Sequence, residues 1–251
     1  MIYVFGDGFA TGHIWPEWPQ LLELVADQSV KNYSHIGAGN EYIFNCAIKS
    51  LLSATSDDIV LIQWADPLRY DKIIESLDWK ELQSQDTIYK DINSEVYNQL
   101  WWSTSGSTLD AIKHYKEFYV QPQQAVNRSV LYILSLLNLL DSKNIKNFSF
   151  LSYSFDYSSH DNYKDLEKLS WINIGQGMDE WIKENTTCRG DEVQPSTHSQ
   201  WTWLKANLFS KIEVDQSRIS AAAEILNQKT FTAYDPDRYQ RWVDIKHDLN
   251  I

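Results

Sequence analysis

The chain has 251 residues, of which 43% are hydrophobic and 22% charged. That length suits one large domain, or one domain with extensions, and the apolar fraction excludes a disordered chain. A formal net charge of −12 opposes nucleic acid and anionic membranes, and no basic run creates a local exception.

The chain opens Met1-Ile2-Tyr3-Val4-Phe5-Gly6-Asp7-Gly8. It lacks the basic start, apolar stretch and cleavage site of a signal peptide, so none is expected. Ile2 to Phe5 reads as a buried parallel strand that runs into a tight Gly-Asp-Gly loop. Trp18 to Val25 carries Leu21, Leu22, Leu24 and Val25 on a helical face. Val30 to Tyr33 reads as a second strand. Gly37-Ala38-Gly39-Asn40 is a turn, with Asn40 placed to cap a helix whose face is Ile43, Cys46, Ala47, Leu51 and Leu52. Ile59 to Ile62 is the clearest buried strand. Strand, helix, strand, helix, strand in succession implies a parallel sheet with crossovers.

Residues 67 to 108 read as an irregular, aromatic excursion beside the sheet, containing Trp79, Trp101 and Trp102. Leu109 to Tyr119 and Val126 to Leu140 read as helices, and Phe148 to Phe155 as a strand. Gly175 to Gly190 is loop-rich. Ser199 to Leu208 and Ser220 to Leu226 read as helices, followed by a polar tail with Tyr234, Tyr239 and Trp242. No segment reaches the roughly 18 apolar residues of a membrane-spanning helix, so a soluble protein is expected. Cys46 and Cys188 form neither a disulfide framework nor a metal spacing, and both are read as free thiols of a reducing compartment.

Four stretches, in order, resemble the conserved blocks of the SGNH (GDSL-type) hydrolases. Val4-Phe5-Gly6-Asp7-Gly8-Phe9 resembles the strand and Gly-Asp-Ser of the first. Asn32 through Gly37-Ala38-Gly39-Asn40 resembles the second, whose glycine N–H serves the oxyanion hole. Ile62-Gln63-Trp64-Ala65-Asp66 resembles the third, and Asp191-Glu192-Val193-Gln194-Pro195-Ser196 the last. Gln63-Trp64-Ala65-Asp66-Pro67-Leu68-Arg69 resembles in particular the SGNH-like proteins of phages. The resemblance implies a three-layer, flavodoxin-like α/β sandwich around a parallel sheet, with residues 1–212 as that domain. Residues 213–251 are then a helical extension and tail.

The chemistry that the resemblance implies is interrupted. Gly8 stands where the family has its serine nucleophile, and Gln194 where it has the histidine base. A glycine has no attacking atom, and an amide has no useful pKa near neutrality. Ala65 replaces an asparagine that donates to the oxyanion. Gly39, Asp7 and Asp191 remain. Losing nucleophile, base and donor together leaves a binding cleft at best. Thr11 and His198 are the candidate substitutes, in an arrangement of Asp191, His198 and Thr11. His13 and Ser196 lie close by in sequence.

Asp7, Asn40, Trp64 and Arg69 are the candidate ligand-binding residues of such a cleft. The plainer reading makes Arg69 half of an ion pair with a local carboxylate. It likewise puts most of Trp64, Trp79, Trp101, Trp102, Trp201 and Trp203 in the core or at subunit contacts rather than against a sugar. Gly6 and Gly8 read as turn geometry, since Asp7 between them would repel a phosphate. No His, Asp or Glu cluster has metal spacing, and no cofactor is expected.

The resemblance therefore implies a catalytically degenerate domain with a structural or interaction role, as a component of a phage virion assembled in the host cytoplasm. Its partners would be other virion subunits or further copies of itself, with a host-surface glycan as an additional ligand. Neither nucleic acid nor membrane is expected as a partner. The alternatives are an esterase or carbohydrate deacetylase with a relocated nucleophile, and a carbohydrate-binding module.

Overall fold

The computed structural model describes residues 1–11, 15–69, 71–74, 88–90, 100–103, 121–186, 195–228, 237–249 and 251. The expected helix over Leu109 to Tyr119, and the positions of His13, Cys188, Asp191 and Gln194, lie outside the described residues.

Four strands form an all-parallel central sheet: β1 (Ile2–Phe5), β2 (Val30–Asn32), β3 (Ile59–Trp64) and β7 (Lys146–Leu151), in the order β2-β1-β3-β7. The register pairs Ile2 with both Val30 and Ile59, Phe5 with Ile62, and Trp64 with Leu151. β1 and β3 are central and buried along their whole length, as a parallel strand covered on both faces must be. β2 is a short, half-exposed edge. The outer edge of β7 is covered by chain rather than left open. Ser149 N–H donates to Ser170 O at 2.8 Å, and Ile172 N–H to Ser149 O at 2.8 Å.

Side chains alternate across this sheet and divide the core into two layers. Ile2, Val4, Ile59, Leu61 and Phe150 face one way. They meet α1 (Trp18–Glu23), α5 (Met178–Asn185), α6 (Thr197–Asn207), α7 (Gln216–Gln228) and α8 (Arg238–Asp248). Tyr3, Phe5, Val60, Ile62, Trp64 and Leu151 face the other way. They meet α2 (Asn40–Ser50), α3 (Pro122–Ser142) and α4 (Tyr163–Leu166). The result is the three-layer, flavodoxin-like α/β architecture expected from the sequence. Within α1, Trp18, Leu21 and Leu22 are fully buried, each contributing about 1.5–3 kcal/mol of transfer free energy.

Several local expectations are corrected. The excursion after residue 67 is not irregular throughout: β4 (Asp71–Ile74), β5 (Ile88–Lys90) and β6 (Leu100–Ser103) pair as a separate antiparallel sheet in the order β4-β6-β5. The loop-rich stretch from Gly175 contains α5, because Met178, Trp181 and Ile182 recur at helical spacing and turn toward the sheet. Most of the tail is also helical. In α8 the stripe Trp242, Ile245 and Leu249 is buried in the same layer as α1. Trp242 meets the ring of Trp15 edge-on at 5.3 Å, so this tail aromatic packs on its own chain. Lys246 pairs with Glu23 at 2.7 Å, and Asp215 N–H donates to Val25 O at 2.8 Å. Asn40 is the first helical residue of α2 rather than its cap; Gly39 is the cap.

Two glycines carry geometric requirements. Gly37 has φ +78°, which shapes the turn before α2, and open space where a side chain would stand. Gly177 caps α5 against the backbone of the β7 loop, and a Cβ there would lie 2.3 Å from the Tyr153 carbonyl carbon. Gly37→Ala should cost about 1 kcal/mol through backbone strain alone. Gly177→Ala should cost about 3 kcal/mol, because two backbone segments must separate. Urea unfolding of both variants tests this, and equal costs would contradict the close approach.

Candidate functional site

In an open parallel sheet the loops at the C-terminal strand ends converge on one edge, which is where such folds place their sites. Here the loops after β1, β3 and β7 meet around Asp7. Its carboxylate is buried, with 1% of the residue exposed, and it has three donors. Oδ1 accepts from Phe9 N–H at 3.1 Å and from the Ser152 hydroxyl at 2.8 Å. Oδ2 accepts from Arg69 Nη1 at 3.1 Å, a salt bridge in which the Arg69 side chain is 13% exposed. The same Nη1 donates to Ala38 O at 2.9 Å. One guanidinium thus ties the loops after β1 and β3 to the turn before α2.

The local sequence explains how Arg69 arrives there. Asp66-Pro67 favours a tight turn. Asp66 Oδ1 accepts from Leu68 N–H at 2.8 Å, and Asp66 O accepts from Arg69 N–H at 2.9 Å. The Ser129 hydroxyl on α3 donates to Pro67 O at 3.2 Å. The chain reverses, and the Arg69 side chain runs back across the strand ends. An ion pair with a carboxylate was expected for Arg69; its partner is Asp7 of the first block.

The other sequence candidates divide sharply. Asn40 is buried, and its amide grips the backbone of Ala65: Oδ1 accepts from Ala65 N–H at 2.8 Å, and Nδ2 donates to Ala65 O at 3.1 Å. Nδ2 also donates to Ser129 Oγ at 3.2 Å. Ala65 therefore has neither a side-chain donor nor a spare N–H. Trp64 is 0% exposed and donates from Nε1 to Ser149 Oγ at 3.2 Å, which makes it a core residue rather than a ligand contact. Trp201 and Trp203 are buried as well. Gly39 is buried at the cap of α2, while Gly8 and Thr11 are half-buried. His198 is exposed on α6, bordering a groove between α6 and α7, and the structure shows no hydrogen bond between it and Thr11.

A second buried network anchors the start of α6. Trp18 Nε1 donates to Gln63 Oε1 at 2.8 Å, and Trp18 N–H to Gln200 Oε1 at 2.7 Å. Gln200 Nε2 donates to Pro195 O at 3.0 Å, and the Thr197 hydroxyl to Pro16 O at 3.0 Å. This fixes Pro195, the residue that follows the last block, against α1 and β3.

Electrostatics keep the neighbouring phenols neutral. Burial, and then the Asp7 carboxylate, push the Tyr153 phenol above its ordinary range. Its ring lies 5.0 Å from that of Phe9. Burial, and then Asp66, push Tyr157 up much further. Burial holds the His35 imidazole below its ordinary 6.5, against the opposing effect of its contact with Ile36 O.

Chemically, this arrangement is a closed polar plug. Ser152 is a hydroxyl at the strand ends that the sequence reading did not single out, but it is fully buried and its proton is directed at Asp7. Among the described residues, the hydrogen bonds of Asp7 and Ser152 include no imidazole. Among the described residues, no group of three or more His, Cys, Asp or Glu side chains is arranged to hold a metal ion. Ser152 belongs to none of the four blocks. The one sequence signal for it was its place at the end of the Phe148 to Phe155 strand.

Two measurements follow from this geometry. Arg69→Met leaves Asp7 buried without its cation and should cost about 3 kcal/mol, the low end for such pairs because Arg69 keeps some solvent contact. Adding Asp7→Asn should recover part of that loss in urea unfolding, whereas additive losses would mean that the pair is not coupled. His35, with a folded pKa below its unfolded one, binds its proton more readily when unfolded. Stability should therefore fall as the pH drops below about 6.5, and His35→Gln should flatten that slope.

No protein-family model matches the chain, and no curated protein matches its sequence, so the reading of this site rests on its own residues and distances.

Proposed function

We propose that the chain is a catalytically emptied SGNH-like domain that serves as a structural or interaction subunit, as a component of a phage particle. The observation that carries this reading is the Arg69–Asp7 salt bridge across the strand ends. It fills, with protein, the place where a hydrolase of this fold class needs an open crevice. Around it Gly8 offers no nucleophile, Ala65 no side-chain donor, and Ser152 no solvent access. A plug of this kind stabilises loops; it does not turn over an acyl group. The particle assignment draws on the resemblance of the segment from Gln63 to Arg69 to SGNH-like phage proteins. The acidic surface, at a formal net charge of −12, suits a crowded protein that must stay soluble.

The competing reading, an esterase or deacetylase with a relocated nucleophile, requires Ser152 or Thr11 to be activated by a base. Ser152 is spent on Asp7, and His198 has no bond to Thr11. A carbohydrate-binding role through exposed indoles gains nothing from Trp64, Trp201 and Trp203, which are buried.

The test is acetyl-ester hydrolysis and fluorophosphonate labelling of the wild type beside a Gly8→Ser, Gln194→His double variant. Wild type should show neither turnover nor label. Turnover gained only by the double variant would support the alignment of blocks. Wild-type turnover blocked by the probe would end the non-catalytic reading, and the labelled residue would name the nucleophile. Native mass spectrometry should in addition show self-association or co-assembly rather than an isolated monomer.

A further inference from the structure

The turn between β7 and α4 is tied to α3 through both ring nitrogens of His160. The Asn162 backbone N–H donates to His160 Nδ1 at 3.1 Å. That nitrogen therefore presents a lone pair, which puts the proton of the neutral ring on Nε2. Nε2 donates in turn to Asn127 Oδ1 on α3 at 3.1 Å, and the Gln123 amide donates to the same oxygen at 2.9 Å. The backbone closes the turn: His160 N–H donates to Tyr157 O, and Tyr163 N–H to His160 O, each at 2.9 Å. The neutral ring with its proton on Nε2 is the form that fits. A proton on Nδ1 would stand against the Asn162 N–H.

The charges around the ring do not compensate a second proton. On its own loop, the Asp156 carboxylate accepts from Ser158 N–H at 2.8 Å, and Asp161 is exposed. On α4 and just beyond it, Asp165 pairs with Lys168 at 2.8 Å, Glu167 takes the Tyr163 phenol, and Lys164 is exposed. On α3, Gln123 and Asn127 are neutral, and Arg128 faces Glu41. Among the described residues, no carboxylate is hydrogen-bonded to the imidazole. The link also carries structure. Asn162 is the N-cap of α4, and its carbonyl accepts from Asp165 and Leu166 N–H, both at 3.1 Å. Leu166 is fully buried, and the backbone bonds of Ser149 to Ser170 and Ile172 lie beyond it.

We propose that His160 is a proton-operated latch: neutral, it ties the turn at residues 157–162 to α3, and protonated, it releases the Asn162 N–H and lets the turn open. The imidazolium keeps its Nε2 donor but loses its one acceptor, and two donors then face each other. The opening stops at Leu166, because the cover over the edge of β7 is backbone hydrogen bonding with no titratable group in it.

The test is NMR of the ¹⁵N-labelled full chain from about pH 8 to about pH 5, the span in which imidazoles change charge. Long-range ¹H–¹⁵N correlations of the ring should show neutral His160 protonated on Nε2. As the ring gains its second proton, the amide order parameters of residues 158–162 should fall from about 0.85 to below about 0.6. Those of Ser149 and Ile172 should not move. His160→Gln should remove the pH dependence of the turn, whereas His247→Gln, on α8, should leave it intact. Four results would each overturn the latch. These are a neutral ring protonated on Nδ1, a turn that stays rigid around the protonated ring, the same pH response in His160→Gln, or a loss of order that spreads to Ser149 and Ile172.

Discussion

β1 and β3 lie side by side with no exposed residue between Ile2 and Phe5 or between Ile59 and Trp64. A parallel pair buried on both faces demands a helical layer on each, and every other element follows from meeting that demand. α2 and α3 close one side, while α1, α5 and α6 close the other, with α7 and α8 extending the second layer. α7 and α8 belong physically to that layer, since Ala222, Trp242, Ile245 and Leu249 share a core with α1.

Total burial has a polar corollary. Gln63, Asn40, Ser149 and Gln200 sit where water cannot reach, so each must find a partner inside the protein. Their hydrogen bonds do more than satisfy themselves. Gln63 and Gln200 meet at Trp18 and bind α1 to α6; Asn40 binds the start of α2 to the end of β3. The strand-end loops are therefore held by buried side-chain amides and the Arg69 guanidinium. In such surroundings a hydrogen bond is stronger than in water, and its loss correspondingly more damaging.

The same economy bears on function. At the strand ends, Asp7, Ser152 and Arg69 satisfy one another. Packing and chemistry rest on different residues of one fold, so the frame alone does not set a function.

The sequence by itself determined the parallel sheet, through the uninterrupted apolar runs of β1 and β3, and the absence of a side-chain hydroxyl at Gly8. These are local properties: periodicity sets strand or helix, and a missing hydroxyl is missing in any conformation. It also held the stripe of Trp242, Ile245 and Leu249, though spread among charged residues that made the tail read as polar. Only the tertiary structure decided that Arg69 pairs with Asp7 rather than with the adjacent Asp66, that Ser152 joins them, and that Asn40 and Trp64 face inward. Those outcomes depend on which loops the sheet order brings together. Asp7 and Ser152 are 145 residues apart in the chain and 2.8 Å apart in space, and no local pattern encodes that distance.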